Sequence, residues 1–390
     1  MHPSYGPPIV QPGALEFLGR IKNRALAAVQ GAFLRAFAAA TLLPPLDRVL
    51  ARASRRLLGA FLYSVKLEVN TACELHCRMC YVRERGPELP LDVILKVLDD
   101  LRGLGTRLEI LGGEPLQRAE LPAIVAHAKR IVGIPVVSVF TNGTRASPEL
   151  AAELAAAGLD AALVTLVSHR REIHDAFTGQ PASWERAVAG IASLREAGVR
   201  AYTFTAIHRE NAGHWREVAR FAREELGVSP VFYQYVAQRR NDSLALAADE
   251  WNVIQRHVLH SLAPAHERLV RHFCMLTGDA CSGGNFVLTV KADGSVQPCP
   301  FVDDLALGSV YSESLWSIWR KRFASPAYRE LKRVPLECLP CTYVSVCGGG
   351  CRAANPSFGA SYASRDPRCL GPFSSPLRVR EVMDHVPTFF

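Results

Sequence analysis

No stretch of this sequence approaches the uninterrupted apolar length of a membrane span: the richest, Ala36–Leu46, is broken by Pro44 and Pro45. The start, MHPSYGPPIVQPG, lacks the basic region and the following apolar run of a secretory signal. Internal repeats and low-complexity tracts are missing too. The bulk of the chain also lacks the charge asymmetry of a nucleic-acid binder. Of the net charge of +8, residues 1–60 supply six, through eight basic residues against two acids, so the remainder is close to neutral and no nucleic-acid partner is expected. With 49% hydrophobic and 21% charged residues over 390 positions, the composition is that of a globular chain of one large domain plus a smaller one.

What the sequence has in quantity is cysteine. There are eleven, an odd number, in tight clusters with glycine and proline between them. Secreted disulfide frameworks are usually short and even-numbered, so clustered cysteines in an enzyme-sized chain point to metal or cluster ligation in a reducing cytoplasm.

Residues 1–60 carry two helical patterns. Leu18, Ile21, Leu26, Val29, Phe33 and Phe37 mark the face of one, which the prolines end, and Leu46, Leu50, Ala53 and Leu57 mark the other, with Arg48, Arg52, Arg55 and Arg56 largely elsewhere. The pattern suits helices packed on the main domain, or an interfacial helix making peripheral contact with an anionic membrane.

From residue 61 to 240 strands and helices alternate. Expected strands are Tyr63–Val69, Leu108–Leu111, Val136–Phe140, Ala161–Leu166, Ala201–Ile207 and Val231–Tyr235. Expected helices are Leu91–Leu104, Leu121–Ile131, Pro148–Ala157, Ser183–Ala197 and Trp215–Leu226. Six strands with crossover helices specify an α/β fold with a parallel sheet, open or curved into a partial barrel, whose functional groups sit on loops after the strands. Residues 241–272 read as a helical bridge, 273–372 as a second, cysteine-rich domain of short strands and turns, and 373–390 as a tail.

Two loops after strands stand out. Cys73, Cys77 and Cys80 form C-x3-C-x2-C behind the first strand. Three thiolates converging on a cubane leave one iron open, which a cluster needs in order to bind and reduce a substrate. A zinc site would want a fourth close ligand, for which His76 is the candidate. Gly112-Gly113-Glu114-Pro115 follows the second strand, where glycines allow close backbone approach and a carboxylate can pair with an ammonium.

These residues resemble the radical SAM superfamily, whose hallmark is this cysteine loop on a partial (β/α)6 TIM-like barrel. The resemblance implies a [4Fe–4S] cluster on Cys73, Cys77 and Cys80, with S-adenosylmethionine (SAM) bound by Tyr81, Gly112, Gly113, Glu114, Asn142, Thr165 and Ile207. Thr141-Asn142-Gly143 matches the family's TNG, and the segment Thr165–Gly179 resembles its S-L-x-G…H-D-x-x-T-G, with Thr165 in place of serine and Ser168 in place of glycine. Met79 stands where an aromatic residue is usual. His174 and Asp175 read as fold-supporting hydrogen-bond partners rather than catalysts.

The other eight cysteines match the pattern of a SPASM domain: Cys281, then Gly294-x4-Cys299 across an Asp293-Gly294 hairpin turn, then Cys338-x2-Cys341-x5-Cys347-x3-Cys351 and Cys369. That resemblance implies two auxiliary [4Fe–4S] clusters, one on Cys274, Cys281, Cys299 and Cys351, the other on Cys338, Cys341, Cys347 and Cys369. Cys274 could instead be a free thiol, leaving an open iron, and paired zinc sites are the other alternative. The implied activity is reductive cleavage of SAM to a 5′-deoxyadenosyl radical, which takes hydrogen from a substrate C–H. A ferredoxin- or flavodoxin-like protein is the expected donor, and a peptide or protein the expected substrate, with a membrane lipid, tetrapyrrole or other small molecule as the alternative. Sulfatase-maturing relatives place an aspartate directly after the third auxiliary ligand; here Pro300 follows Cys299, and Asp303 and Asp279 are the nearest acids. A non-catalytic electron carrier would explain the cysteines but not the GGEP loop.

Overall fold

A computed structural model describes residues 62–82, 85–236, 243–261, 281–354 and 361–374, with isolated positions 25, 28 and 32. The rest of residues 1–61, residues 262–280 with Cys274 and Asp279, and the tail from 375 lie outside the described residues, and with them the expectations placed there.

Six parallel strands follow one another in spatial order: β1 (Ser64–Glu68), β2 (Arg107–Leu111), β3 (Val137–Thr141), β4 (Ala161–Thr165), β5 (Arg200–Ile207) and β6 (Ser229–Gln234). Each matches an expected strand to within two residues at either end. Side chains alternate across them. Val65, Leu67, Leu108, Ile110, Val137, Val139, Ala162 and Val164 are fully buried and form the core with the surrounding helices. The opposite face carries Ser64, Lys66, Arg107, Glu109, Ser138, Phe140, Tyr202, Phe204 and Tyr233, all of which line a single cavity. Parallel sheets are normally apolar on both faces, so a polar and aromatic inner face marks a space the helices do not fill. One cavity reached from every strand requires a sheet that curves around it.

The crossover helices are α1 (Leu91–Asp99), α2 (Leu121–Ala126), α3 (Pro148–Ala157), α4 (Arg171–Thr178), α5 (Ser183–Glu196) and α6 (Trp215–Glu224). Helix α3 shows why its limits were legible: Ser147 Oγ accepts from Leu150 N at 3.2 Å, Pro148 opens the first turn, and Gly158 closes it in the left-handed region. Helix α1 stops short of the expected Leu104 because Gly103 and Gly105 both take positive φ. Helix α4, which no periodicity marked, lies inside the Thr165–Gly179 segment. Helix α7 (Ala248–Ser261) follows in the bridge, and its Trp251 packs with Ile207, Trp215 and Phe232.

The C-terminal part continues the same sheet. Strand β7 (Val287–Val290) lies parallel to β1, pairing Ser64 with Val287 and Leu67 with Val290. Strand β8 (Ser295–Gln297) returns antiparallel through the expected Asp293-Gly294 turn, and β9 (Gly308–Ser309) closes the order β6-β5-β4-β3-β2-β1-β7-β8-β9. An uncovered β1 would be a template for unwanted pairing, and β7 removes that edge. Short helices α8 (Leu315–Lys321), α9 (Pro326–Leu331) and α10 (Val344–Cys347) carry the chain to the last cysteines.

Candidate functional site

The cavity inside the curved sheet has a volume of 560 Å³ and holds Cys73, Cys77 and Cys80 on its wall, with Tyr81, Gly112, Gly113, Asn142 and Thr165. A run of rings forms another side: Phe204 sits edge-on to Phe140 at 5.0 Å and stacks on Tyr233 at 4.0 Å. Lys66 and Glu109 pair within it, and Ser64 Oγ donates to Glu109 at 2.6 Å. Burial pushes the Glu109 carboxyl up, but the Lys66 charge and these hydrogen bonds outweigh it, so its pKa ends below the usual value.

The cysteine loop leaves β1 and is held from two sides. His76 N donates to Thr178 O at 2.9 Å and Arg78 N to Phe177 O at 3.1 Å, tying it to the end of α4. On the other side Gly113 N donates to Asn70 O at 2.9 Å and Glu114 N to Ala72 O at 2.7 Å. The two glycines are needed for this approach: a Cβ on Gly112 would lie 2.4 Å from Asn70 Oδ1, and one on Gly113 2.3 Å from Ala72 O. The GGEP glycines therefore seat the chain's own cysteine loop, while both also face the cavity.

Glu114 joins two of the loops that face the cavity. Its side chain is fully buried and does not line the cavity; its oxygens accept from Thr141 Oγ1 at 2.6 Å, Asn142 N at 2.7 Å and Leu116 N at 2.9 Å. Burial pushes its carboxyl up to about 7, against the pull of those donors. It fastens the turn after β3 to the turn after β2. Asn142, brought in by this link, donates to Glu74 Oε1 at 2.9 Å and reaches Cys73 Sγ at 3.7 Å.

Along β5, Arg200, Tyr202 and Phe204 point inward, so the odd-numbered Ile207 falls on the outer face, 1% exposed against Trp215 and Trp251. His174 and Asp175 hold the fold. Val167 N donates to His174 Nδ1 at 3.3 Å, burial holds that imidazole down at about 4, and Asp175 accepts from Ala182 N and Trp184 N at the start of α5.

None of the described cysteines forms a disulfide. Burial drives Cys73 up to about 11 and Cys77 to about 12, and Cys77 also feels Cys80 and Cys73. In the C-terminal part, burial raises Cys299, which also feels Cys281 and Cys351; these three line a cavity of 40 Å³. Burial likewise raises Cys347, which feels Cys369 and Cys338, and Cys369 feels Cys341. Cys73, Cys77 and Cys80 thus share one cavity wall and Cys281, Cys299 and Cys351 another, with Cys338, Cys341, Cys347 and Cys369 on the later segments. Among the described residues no three His, Cys, Asp or Glu groups converge as ligands of a single ion do. The donor sets consist of thiols, the preferred ligands of iron–sulfur clusters. Backbone N–H groups already point at sulfur: Leu75 N at Cys73 Sγ (3.4 Å), Gly371 N at Cys369 Sγ (3.3 Å) and Phe373 N at Cys341 Sγ (3.4 Å).

The two halves meet beside the cysteine loop. Lys291, after β7, lies 2.8 Å from Glu68 Oε1 at the end of β1 and 3.1 Å from Asp303 Oδ1, under the Tyr81 ring. Tyr81 in turn meets Phe301 edge-on at 5.2 Å. Neither this cluster nor the aromatic inner face was singled out from sequence. The signal for the inner face was present, in strands such as Arg107-Leu-Glu-Ile-Leu111 that alternate charge with aliphatics.

Comparison with known proteins agrees with this geometry. The model of the radical SAM superfamily matches residues 67–222, and that of the SPASM iron–sulfur cluster-binding domain matches residues 281–348. The chain belongs to the radical SAM superfamily and carries a SPASM domain. It is similar to the AdoMet-dependent heme synthase of Nitratidesulfovibrio vulgaris, 26% identical over 77% of this chain and 90% of the relative. It is also similar to the mycofactocin maturase MftC of Mycolicibacterium smegmatis, 28% identical over 80% and 84%. In fold it resembles Streptococcus suis SuiB bound to S-adenosylmethionine, with a TM-score of 0.64 at 15% identity over 82% of this chain and 80% of that one. As a radical SAM enzyme with a SPASM domain it works with iron–sulfur clusters and SAM. No helix among the described residues is long and apolar enough to cross a membrane.

Proposed function

We propose that this radical SAM enzyme modifies a side chain of a peptide or protein, and that it does so with three [4Fe–4S] clusters. Cys73, Cys77 and Cys80 would hold the SAM-binding cluster. Cys281, Cys299 and Cys351, with Cys274, would hold one auxiliary cluster, and Cys338, Cys341, Cys347 and Cys369 the other. The bound cluster and SAM supply an electron and a 5′-deoxyadenosyl radical able to take hydrogen from an unactivated carbon. The chain's own part is to position and to exclude. Gly112 and Gly113 offer backbone to SAM, Asn142 and Thr165 offer an amide and a hydroxyl, and Glu114 keeps the turns carrying them in register. Phe140, Phe204, Tyr233 and Tyr81 wall the space and keep water from it.

The observation that carries the peptide reading is the size of the cavity. Its 560 Å³ must receive SAM as well as the reacting group. Pockets of about 300–1,000 Å³ enclose one drug-sized ligand, so what remains beside SAM suits one side chain on a larger molecule rather than a whole macrocycle. The mycofactocin maturase and PqqA peptide cyclase relatives point the same way. The heme synthase relatives, together with Arg107 and Arg200 on the cavity wall, favour a carboxylated tetrapyrrole as the second reading.

A ferredoxin- or flavodoxin-like donor would feed the clusters, and the cationic residues 1–60 would give peripheral membrane contact. Anaerobically reconstituted enzyme, given SAM, reductant and a short peptide encoded beside its gene, should change that peptide's mass. No change with the peptide but loss of carboxyl groups from a porphyrin would replace the first reading by the second. Liposome flotation of the intact chain against one lacking residues 1–60 tests the membrane contact, and equal flotation would remove it.

A further inference from the structure

Arg352 follows the last cysteine of the Cys338–Cys351 run and is 1% exposed. Its Nη2 donates to Gly348 O, but Nε and Nη1 are buried with no hydrogen-bond partner, and no carboxylate pairs with it among the described residues. Arg368, another buried arginine nearby, is treated differently: Asp366 accepts from its Nε at 2.9 Å and from its Nη2 at 2.8 Å. A guanidinium is charged at every accessible pH, and burying one without a counter-ion costs several kcal/mol. An orphaned guanidinium in the interior therefore implies an anion that the protein's own side chains do not supply.

Its place in the fold indicates which anion. Arg352 lines the 40 Å³ cavity with Cys281, Cys299 and Cys351. It also reaches the other set, because the Gly348 carbonyl to which its Nη2 donates directly follows Cys347. The residue lies between the two groups of thiols. A cubane held by four thiolates carries net negative charge and accepts hydrogen bonds at sulfur, and both features set its reduction potential.

We propose that Arg352 is the shared counter-cation of the two auxiliary clusters, its unpartnered N–H groups serving cluster sulfur and holding both potentials up. The inference rests on the three-cluster reading above. Positive charge and donated hydrogen bonds stabilise the reduced, more negative form, so removing them makes each auxiliary cluster harder to reduce. Electrons leaving a substrate radical would then find poorer acceptors.

The test is a redox titration of the holoenzyme followed by electron paramagnetic resonance, with the SAM-binding cluster identified by its response to added SAM. Iron is counted first: a wild type with four or fewer irons overturns the three-cluster reading itself, separately from this inference. In Arg352→Met with full iron, both auxiliary couples should move to lower potential by at least a tenfold change in the reduced-to-oxidised ratio, about 59 mV for one electron. The SAM-binding couple should not move. Arg352→Lys, which keeps the charge but loses the fork, should shift less in the same direction, and it carries the test if the methionine variant fails to hold iron. Unchanged auxiliary couples in an iron-replete variant would overturn the proposal, and so would an equal shift of all three couples.

Discussion

The two parts of the nine-stranded sheet, β1–β6 and β7–β9, hold their cysteines in opposite ways. On the barrel side three cysteines come from one eight-residue loop; Cys80 is exposed, Cys73 and Cys77 are partly so, and all three face a cavity of 560 Å³. On the β7–β9 side the cysteines come from segments far apart in sequence; Cys338, Cys347 and Cys351 are buried, and the cavity beside Cys351 measures 40 Å³. A short loop with open space before it suits a centre that must admit another molecule. Buried, interleaved ligands suit one that exchanges only electrons. The loop needs outside bracing, which Gly112, Gly113 and Glu114 give, whereas the C-terminal sites are braced by their own fold and, by our inference, by Arg352.

The most severe way to break this contrast is to remove one side. Replacing Cys73, Cys77 and Cys80 by alanine should abolish 5′-deoxyadenosine formation and lower iron by about four per chain while auxiliary-cluster absorbance survives. Loss of all iron would mean the two sides are not independent. Gly113→Ala tests the bracing: its Cβ would meet backbone oxygens of Ala72 and Thr71 at 2.3 and 2.4 Å, which cannot give way as a side chain would. SAM cleavage should fall by about a hundredfold, as expected when reacting groups are displaced by an ångström. A wild-type rate would show that the loop tolerates the shift.

The join between the sides rests on Lys291. Lys291→Met would leave Glu68, 1% exposed, as a buried charge without its partner, costing about 3–5 kcal/mol in denaturant unfolding of the apoprotein. Adding Glu68→Gln should return most of that loss, and failure to do so would mean the pair does not couple. Glu114 gives the smallest effect, and one with a definite sign. Burial raises its carboxyl from 4.5 to about 7, so its contribution to stability is fully present below pH 4.5 and is lost as pH rises through 7. Relative to Glu114→Gln, the wild-type apoprotein should lose on the order of 3 kcal/mol across that window, and parallel pH profiles would contradict the assignment.

Much of this architecture was legible in the sequence. Ser147-Pro148…Gly158 marks a helix by its caps, and the six parallel strands follow from short apolar runs between helical patterns. The cysteine spacings announce clusters because few packed cores would use them. What was not legible depends on distant pairing. Nothing local in Val287–Val290 says that it will lie beside Ser64–Glu68 and carry the sheet into the C-terminal part. The hydrogen-bond partners of Glu114 are not legible in its motif, because Thr141 and Asn142 come from the end of another strand. The outward direction of the Ile207 side chain becomes evident only when Tyr202 and Phe204 are known to face the cavity.

The central claim is that one chain carries an open cluster centre and two closed ones. Anaerobic reconstitution followed by iron, sulfide and zinc analysis, with 5′-deoxyadenosine measured after adding SAM and reductant, tests it most directly. The account predicts about twelve irons per chain, with 5′-deoxyadenosine formed from SAM. Four or fewer irons accompanied by two zincs, or a fully loaded protein that forms no 5′-deoxyadenosine, would contradict it.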